Sequence, residues 1–179
     1  MMEKLFIVAV TTPGDYPNEA EVITSILANN RADMVHIRKP GWSRERTVEL
    51  IEAIPSCLWK RLRIHDNFSL MKDYRLGGVH LNARNPQPPE NAESVSCSMH
   101  SIEQLDQSEN FDYVTLSPIF DSISKPGYKS AFNLENISRY IRGKKVVALG
   151  GVTPDKFPAL RDAGFFGAAM LGHFWQQKT

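Results

Sequence analysis

Short hydrophobic runs alternate along the chain with segments whose apolar residues have helical spacing. Behind the first run, Val22, Ile23, Ile26 and Leu27 fall on one face of a helix. Eight such runs occur in chain order: Leu5–Val10, Asp33–Arg38, Arg61–His65, Gly77–Leu81, Ser94–Ser98, Phe111–Leu116, Lys145–Leu149 and Gly167–Leu171. This alternation predicts parallel strands joined by right-handed helical crossovers.

Eight strands of this kind predict an α/β fold, a single-domain (β/α)₈ TIM barrel over residues 1–179. If the weak runs at Arg61 and Ser94 are not strands, a five-stranded flavodoxin-like sheet is the alternative. Ser43 is placed to cap the second helix. The segment Asn82–Asn91, rich in proline, predicts a loop in place of one crossover helix. The chain stops soon after Leu171, so we expect a truncated last helix, covered by a loop or by another copy in a homo-oligomer.

Composition narrows the class of protein. Hydrophobic residues make up 42% of the chain and the formal net charge is +1, so a folded core is expected and a nucleic-acid or membrane partner is not. No apolar run approaches the ~20 residues that span a bilayer, and the first ten residues lack a signal-peptide pattern. We therefore expect a soluble cytoplasmic protein. The two cysteines, Cys57 and Cys97, exclude a disulfide scaffold and a four-cysteine zinc site.

Polar residues that are capable of catalysis or ligand binding follow the predicted strands. In a parallel barrel the active site lies where strands end, although strand ends are also polar for reasons of solvent exposure alone. These residues are His36, Arg38, Lys39, His65, Asp66, Asn67, His80, Asn82, Asn85, Ser98, His100, Ser117, Gly150, Gly151, Gly172 and His173. They predict one active site at this end of the barrel.

The last loops predict a phosphate site. Gly150 and Gly151 follow the seventh run, Thr153 is placed to cap a helix at Pro154, and Gly172 with His173 follows the eighth run. Loops seven and eight commonly hold phosphate in such barrels. The loop after the sixth run adds further phosphate donors, with a solvated surface loop as the alternative; they are Ser122, Ser124 and Lys125.

Two further roles are suggested by residue type. Asp66 can hold Mg²⁺ together with a pyrophosphate, since Mg²⁺ favours carboxylate and phosphate oxygens, although an aspartate beside Asn67 also suits a turn. His36 and His65 can transfer protons near neutral pH, or they can be hydrogen-bonded residues at the edge of the core.

Seven short segments in the same order resemble the superfamily of thiamin phosphate synthases and TenI-type thiazole tautomerases. The similarity runs from Leu5 to about Phe174 and implies a (β/α)₈ barrel. The segments are Val35–Arg38, Ile64–Asn67, Gly78–Leu81, Ser98–Glu103, Asp112–Val114, Ser117–Phe120 with Ser124–Pro126, and Ala148–Val152.

The resemblance implies a thiamin-biosynthesis enzyme that joins hydroxymethylpyrimidine pyrophosphate to thiazole phosphate and releases pyrophosphate, with Mg²⁺ as cofactor. It implies that Arg38 and Lys125 bind pyrophosphate, that Asp66 is one Mg²⁺ ligand, and that Ser98 lies near the pyrimidine. The residues expected at the thiazole phosphate are Ser122, Ser124, Gly151 and Gly172.

This chain departs from the pattern of either branch. The synthase motif Gln-x-Arg-Glu-Lys reads His36-Ile37-Arg38-Lys39-Pro40, so Lys39 is the residue left to replace the missing lysine. Asn85 stands where the synthases have a second Mg²⁺-binding aspartate. His36 is typical of the tautomerases, which need no metal, yet Pro118 stands at their catalytic histidine. Three alternatives follow: a synthase, which we favour, a tautomerase, or a non-catalytic thiazole-phosphate binder.

Overall fold

Eight parallel strands form a closed barrel in the computed structural model of the protein, which describes residues 4–90, 92–121, 130 and 132–175. The strands are β1 (Phe6–Val10), β2 (Met34–Ile37), β3 (Leu62–Ile64), β4 (Val79–Leu81), β5 (Val95–Met99), β6 (Tyr113–Leu116), β7 (Val146–Ala148) and β8 (Gly167–Met170). Each overlaps one predicted run. The eight-stranded prediction is confirmed, including the two weak runs, and the five-stranded sheet is excluded.

Helices connect most of the strands. They are α1 (Glu19–Ala28), α2 (Arg44–Glu52), α3 (Leu134–Ile141), α4 (Phe157–Ala163) and α5 (Gly172–Trp175), with 3₁₀ helices at Ser56–Arg61, Phe68–Lys72, Glu103–Asn110 and Pro154–Lys156. The Ser43 hydroxyl accepts from Arg46 N and caps α2 as predicted, whereas Thr153 makes no side-chain cap. The described part of Asn82–Asn91 holds no helix, as expected.

The chain divides into two compact units, each described below by itself. One unit is Ala9–Val95. The other joins Met1–Val8 to Ser96–Thr179. That residues 1–179 form a single domain stays a prediction. Among the described residues, no helix is long and apolar enough to cross a membrane.

The unit Ala9–Val95 is built on β2, β3 and β4. In the register of these strands His36 lies beside Arg63, and Ile64 lies beside Val79. Ile23, Ile26 and Leu27 of α1 are fully buried, as their helical spacing predicts. The hydrophobic effect therefore fixes α1 in the core of this unit, while polar residues alternate with the apolar ones along its strands.

The unit that contains Ser96–Thr179 is built on β5 to β8. Its register pairs Ser98 with Thr115 and Leu116 with Ala148. All residues of β6, β7 and β8 are buried, as in a parallel strand covered on both faces. Within the described residues α5 has four residues, in line with the expected short last helix.

Candidate active site

Lys39 is taken up by a buried ion pair in the unit Ala9–Val95. Its Nζ lies 2.7 Å from Glu19 Oε1, 2.6 Å from Glu19 Oε2 and 2.6 Å from the Gly14 carbonyl oxygen. Burial lowers the pKa of Lys39 and raises the pKa of Glu19. The contacts between the two side chains shift each pKa in the opposite direction and favour the charged forms. Three acceptors surround the ammonium group, so Lys39 is held within the protein, and its binding of substrate stays a prediction.

Asp66, directly after β3, is held by two donors from the loop after β4. Its Oδ1 accepts from Arg84 Nη2 at 3.2 Å and from Asn85 Nδ2 at 3.0 Å. Its Oδ2 is buried and has no hydrogen-bond partner among the described residues. One carboxylate oxygen is thus neutralised within the chain, and the other is left for a ligand.

A tight turn brings Arg84 and Asn85 to this carboxylate. The backbone N–H groups of Asn82 and Asn85 each donate to the other residue's carbonyl oxygen, at 3.2 and 3.0 Å. The Asn82 side chain accepts from Arg84 N and donates to the His65 carbonyl oxygen. The turn is thereby tied to the end of β3, where Asp66 begins the next loop.

The residues at Asp66 do not fit a two-carboxylate magnesium site. Asn85 Nδ2 donates to a carboxylate and, at 2.9 Å, to the His65 carbonyl, and both groups only accept. The amide nitrogen therefore faces Asp66, and Asn85 offers no oxygen ligand there. The guanidinium of Arg84 also repels a divalent ion. In this arrangement Asn85 is a hydrogen-bond donor to Asp66, and its role as a Mg²⁺ ligand stays a prediction.

Arg38 follows β2 and is partly buried. Burial and the positive charge of Arg84 lower the pKa of its guanidinium, and the Asp66 carboxylate opposes this shift. Arginine stays protonated in any case. Arg38, Arg84 and Asp66 are thus close enough to act on one another, and together they carry one net positive charge. We call these three residues the cationic cluster.

Three histidines occupy the interior of the same unit. His36 lies on β2, His65 follows β3 and His80 lies on β4, and all are buried. His36 Nδ1 and His65 Nε2 are 2.9 Å apart and share a hydrogen bond. Burial is the main cause that lowers the pKa of each imidazole, helped by the buried Arg63. The structure therefore brings the two predicted acid–base residues together, as neutral rings removed from solvent.

Arg63 and Arg84 are the polar residues of this unit that the sequence reasoning missed. Arg63 is 2% exposed and donates to the Gly77 and Val79 carbonyl oxygens and to the Ser94 hydroxyl. Arg63 lies two residues before His65 in sequence. This spacing could have indicated that the two side chains lie on the same side, since alternate residues of an extended segment share a face. Arg84 gave no comparable signal, because only the turn after β4 brings it to Asp66.

In the other unit, Gly150 and Gly151 are needed by the fold itself. Both have positive φ, of 92° and 62°, which favours glycine. A Cβ on Gly150 would clash with Pro118, and one on Gly151 with the backbone of Phe120 and Asp121. The glycine pair therefore lets the loop after β6 lie against the end of β7, and its binding of phosphate stays a prediction.

The other predicted site residues of this unit follow β5, β6 and β8. Ser98 is half-buried at the end of β5, and the Ser117 hydroxyl lies 3.2 Å from His100 Nδ1. Gly172 and His173 are exposed in α5, where the His173 ring contacts Phe174. Ser122, Ser124 and Lys125 lie outside the described residues.

A cavity of about 600 Å³ lies beside these loops, within the same unit. Gly151, Thr153, Asp121, Asp155 and Lys156 are among its lining residues. Two carboxylates against one lysine do not favour an anion. The cationic cluster is therefore the better anion site of the two on charge.

These features define a parallel βα barrel with a cluster of two arginines and one aspartate in the loops that follow β2, β3 and β4. The sequence profile of the family described as thiamine monophosphate synthase (TMP-TENI) matches residues 7–174. The chain therefore belongs to the thiamine monophosphate synthase family, as its motifs indicate.

Individual proteins that are similar to this chain are thiamine-phosphate synthases as well. A thiamine-phosphate synthase from Synechococcus is 30% identical over 176 residues, which cover 91% of this chain and 49% of that protein. This chain thus spans about half the length of that relative. A thiamine-phosphate synthase from Pediococcus pentosaceus is 24% identical, with 98% and 89% coverage. The crystal structure of thiamine phosphate pyrophosphorylase from Bacteroides thetaiotaomicron is similar with a TM-score of 0.84 and 34% identity, over 96% of this chain and 85% of that one.

Proposed function

We propose that this chain is a transferase that joins hydroxymethylpyrimidine pyrophosphate to thiazole phosphate and releases pyrophosphate. The observation that carries this proposal is the cationic cluster of Arg38, Arg84 and Asp66. Two guanidinium groups against one carboxylate suit a multiply charged pyrophosphate, and arginine pairs bidentately with phosphate oxygens. Membership in the family supports the choice of substrates.

The proposed reaction needs positive charge at the leaving group. The C–O bond to pyrophosphate breaks, its electron pair leaves with the pyrophosphate, and the lone pair of the thiazole nitrogen forms the new C–N bond. Negative charge therefore grows on the bridging oxygen in the transition state. Arg38 and Arg84 are positioned to stabilise that charge by preorganised electrostatic interaction, and Asp66 orients Arg84 through their ion pair.

The thiazole phosphate would bind at residues that follow β6, β7 and β8. Gly150, Gly151 and Gly172 provide backbone N–H groups for this role, and His173 and Ser117 provide side-chain donors. Ser98 is proposed near the pyrimidine, and Lys125 with Ser122 and Ser124 at the phosphates, as the resemblance implies. Asp66 holds Arg84 by a direct ion pair, so Mg²⁺ is not needed to orient it.

A thiazole tautomerase is the second candidate, and one observation favours it. His36 and His65 share a hydrogen bond and are neutral, so one donates and the other accepts a proton without a metal. Their burial argues against direct contact with substrate, which is why the transferase is preferred.

The test is to incubate the full chain with both phosphorylated substrates and follow thiamin phosphate by fluorescence after oxidation. Formation of thiamin phosphate is the expected result. Solvent deuterium exchange into the thiazole without any thiamin phosphate would establish the tautomerase instead. Thiazole-phosphate binding without turnover would leave a non-catalytic binder and overturn the proposal.

A further inference from the structure

Three buried imidazoles lie together inside the unit Ala9–Val95. One ring nitrogen from each of His36, His65 and His80 lies within 4.8 Å of the other two. The ring centroids are 4.3–5.0 Å apart. We call these residues the histidine triad.

Their spacing is near that of a metal centre. With Zn–N distances of about 2.0–2.1 Å, the ligand nitrogens of a tetrahedral site lie roughly 3.4 Å apart. His36 Nδ1 and His65 Nε2 are already 2.9 Å apart. A shift of about an ångström or two in the His80 ring, which now stacks on His65 at 26°, would bring the third nitrogen to the ion.

The chemistry of the triad also suits a metal. Each imidazole offers one ring nitrogen as a ligand. Three neutral imidazoles are a common ligand set for zinc, and imidazole suits cobalt, nickel and copper as well.

Positively charged neighbours limit the affinity of the histidine triad for a divalent ion. Arg63 acts on all three rings, and Arg38 and Arg84 act on His65. The Arg63 guanidinium donates to the Gly77 and Val79 carbonyls and to Ser94, which holds it in place. These cations oppose a divalent ion, so a borderline ion that binds imidazole tightly is favoured over Mg²⁺ or Ca²⁺.

We propose that His36, His65 and His80 form a binding site for one divalent transition-metal ion, of which Zn²⁺ and Co²⁺ are the test cases. This site is separate in its ligands from the cationic cluster and does not depend on the proposed transferase function. A bound ion would link β2, β3 and β4 and would stabilise the unit, because it binds the folded state only.

The experiment uses the full chain without an affinity tag, stripped with EDTA and passed through a desalting column. Titration with Co²⁺ should give visible absorption typical of nitrogen ligands, saturating at one ion per chain, and Zn²⁺ should displace it and raise the melting temperature. His36→Gln and His80→Gln should each weaken Co²⁺ binding at least tenfold, with folding checked by circular dichroism. Asp73→Asn and His100→Gln, both at exposed positions, are matched controls and should leave Co²⁺ binding unchanged.

Absence of Co²⁺ absorption in the wild-type chain would overturn the proposal. Equal loss of binding in Asp73→Asn, or in the exposed His100→Gln, would also overturn it, because the ion would then lie elsewhere. If His80→Gln does not fold, His36→Gln with Zn²⁺ retention measured by mass spectrometry decides the same question.

Discussion

Asn85 is the single residue that most alters the metal chemistry expected at this site. Its side-chain nitrogen donates to Asp66 Oδ1, whereas an aspartate in its place would add a second carboxylate beside that of Asp66. Two carboxylates raise the affinity for a hard divalent cation.

We therefore expect Asn85→Asp to make pyrophosphate binding depend on Mg²⁺, with an affinity about tenfold higher in Mg²⁺ than in EDTA, since an added carboxylate strengthens such sites. Titration of inorganic pyrophosphate by calorimetry with and without Mg²⁺ measures this. Asn29→Asp, at the exposed end of α1, is the control. Equal affinity with and without Mg²⁺ in Asn85→Asp would contradict the orientation assigned to Asn85.

Arg84 supplies charge that a metal would otherwise supply. We expect Arg84→Ala to weaken binding of inorganic pyrophosphate in EDTA by at least about tenfold, because a hydrogen bond between charged groups is worth ~1.5–3 kcal/mol. Arg75→Ala, an exposed arginine of the same unit, should leave that affinity unchanged. Equal affinity in Arg84→Ala and the wild-type chain would show that Arg84 does not bind the anion.

At the scale of elements, the Glu19–Lys39 ion pair ties the start of α1 to the end of β2. Asn67 makes a similar link, because its side chain donates to Thr47 Oγ1 at 2.8 Å and joins the loop after β3 to α2. These contacts explain why polar residues at strand ends need not touch substrate.

Lys39→Met should lower the free energy of unfolding by about 3–5 kcal/mol, because it leaves the Glu19 charge buried without its partner. The double variant Glu19→Leu with Lys39→Met should recover most of that loss. Urea denaturation of the single and double variants provides the measurement. A loss below about 1 kcal/mol would indicate a solvated lysine, as for an exposed pair.

The strands could be predicted from sequence, whereas several connections could not. The runs that became β6, β7 and β8 are buried on both faces, so their apolar composition alone marked them. The segment from Phe68 has helical spacing but forms only a 3₁₀ helix, which begins after Asn67 at φ 55°. A left-handed backbone conformation of this kind cannot be predicted from hydrophobic periodicity.

The candidate site was predictable only in part. Arg38, His65 and Asp66 were found because each follows an apolar run. The ion pair of Lys39 was missed, because its partner Glu19 lies 20 residues away in sequence and only the fold brings the two together.

For the whole molecule, the buried histidines should make stability depend on pH. The folded pKa of His80 is about 3, whereas an unfolded histidine titrates near its model value of 6.5. Between these values the unfolded chain binds more protons, so stability falls as the pH drops below about 6.5, by up to ~1.4 kcal/mol per pH unit for each such histidine.

Urea unfolding of the metal-free chain in EDTA, between pH 7.5 and pH 4.5, measures this slope. His80→Gln should reduce the slope of unfolding free energy against pH by the amount that corresponds to about one proton bound on unfolding. The exposed His173→Gln should not change that slope. A wild-type stability that is constant across this range would show that the triad is protonated or solvated.

The proposed transferase activity is tested most directly by the stoichiometry of its two products, thiamin phosphate and pyrophosphate, formed by the full chain. With both phosphorylated substrates present, the account predicts that thiamin phosphate and pyrophosphate form in equal amounts, and that Arg38→Ala and Arg84→Ala lose most of this turnover while Arg75→Ala retains it. Pyrophosphate release without thiamin phosphate, or full turnover in both Arg38→Ala and Arg84→Ala, would contradict it.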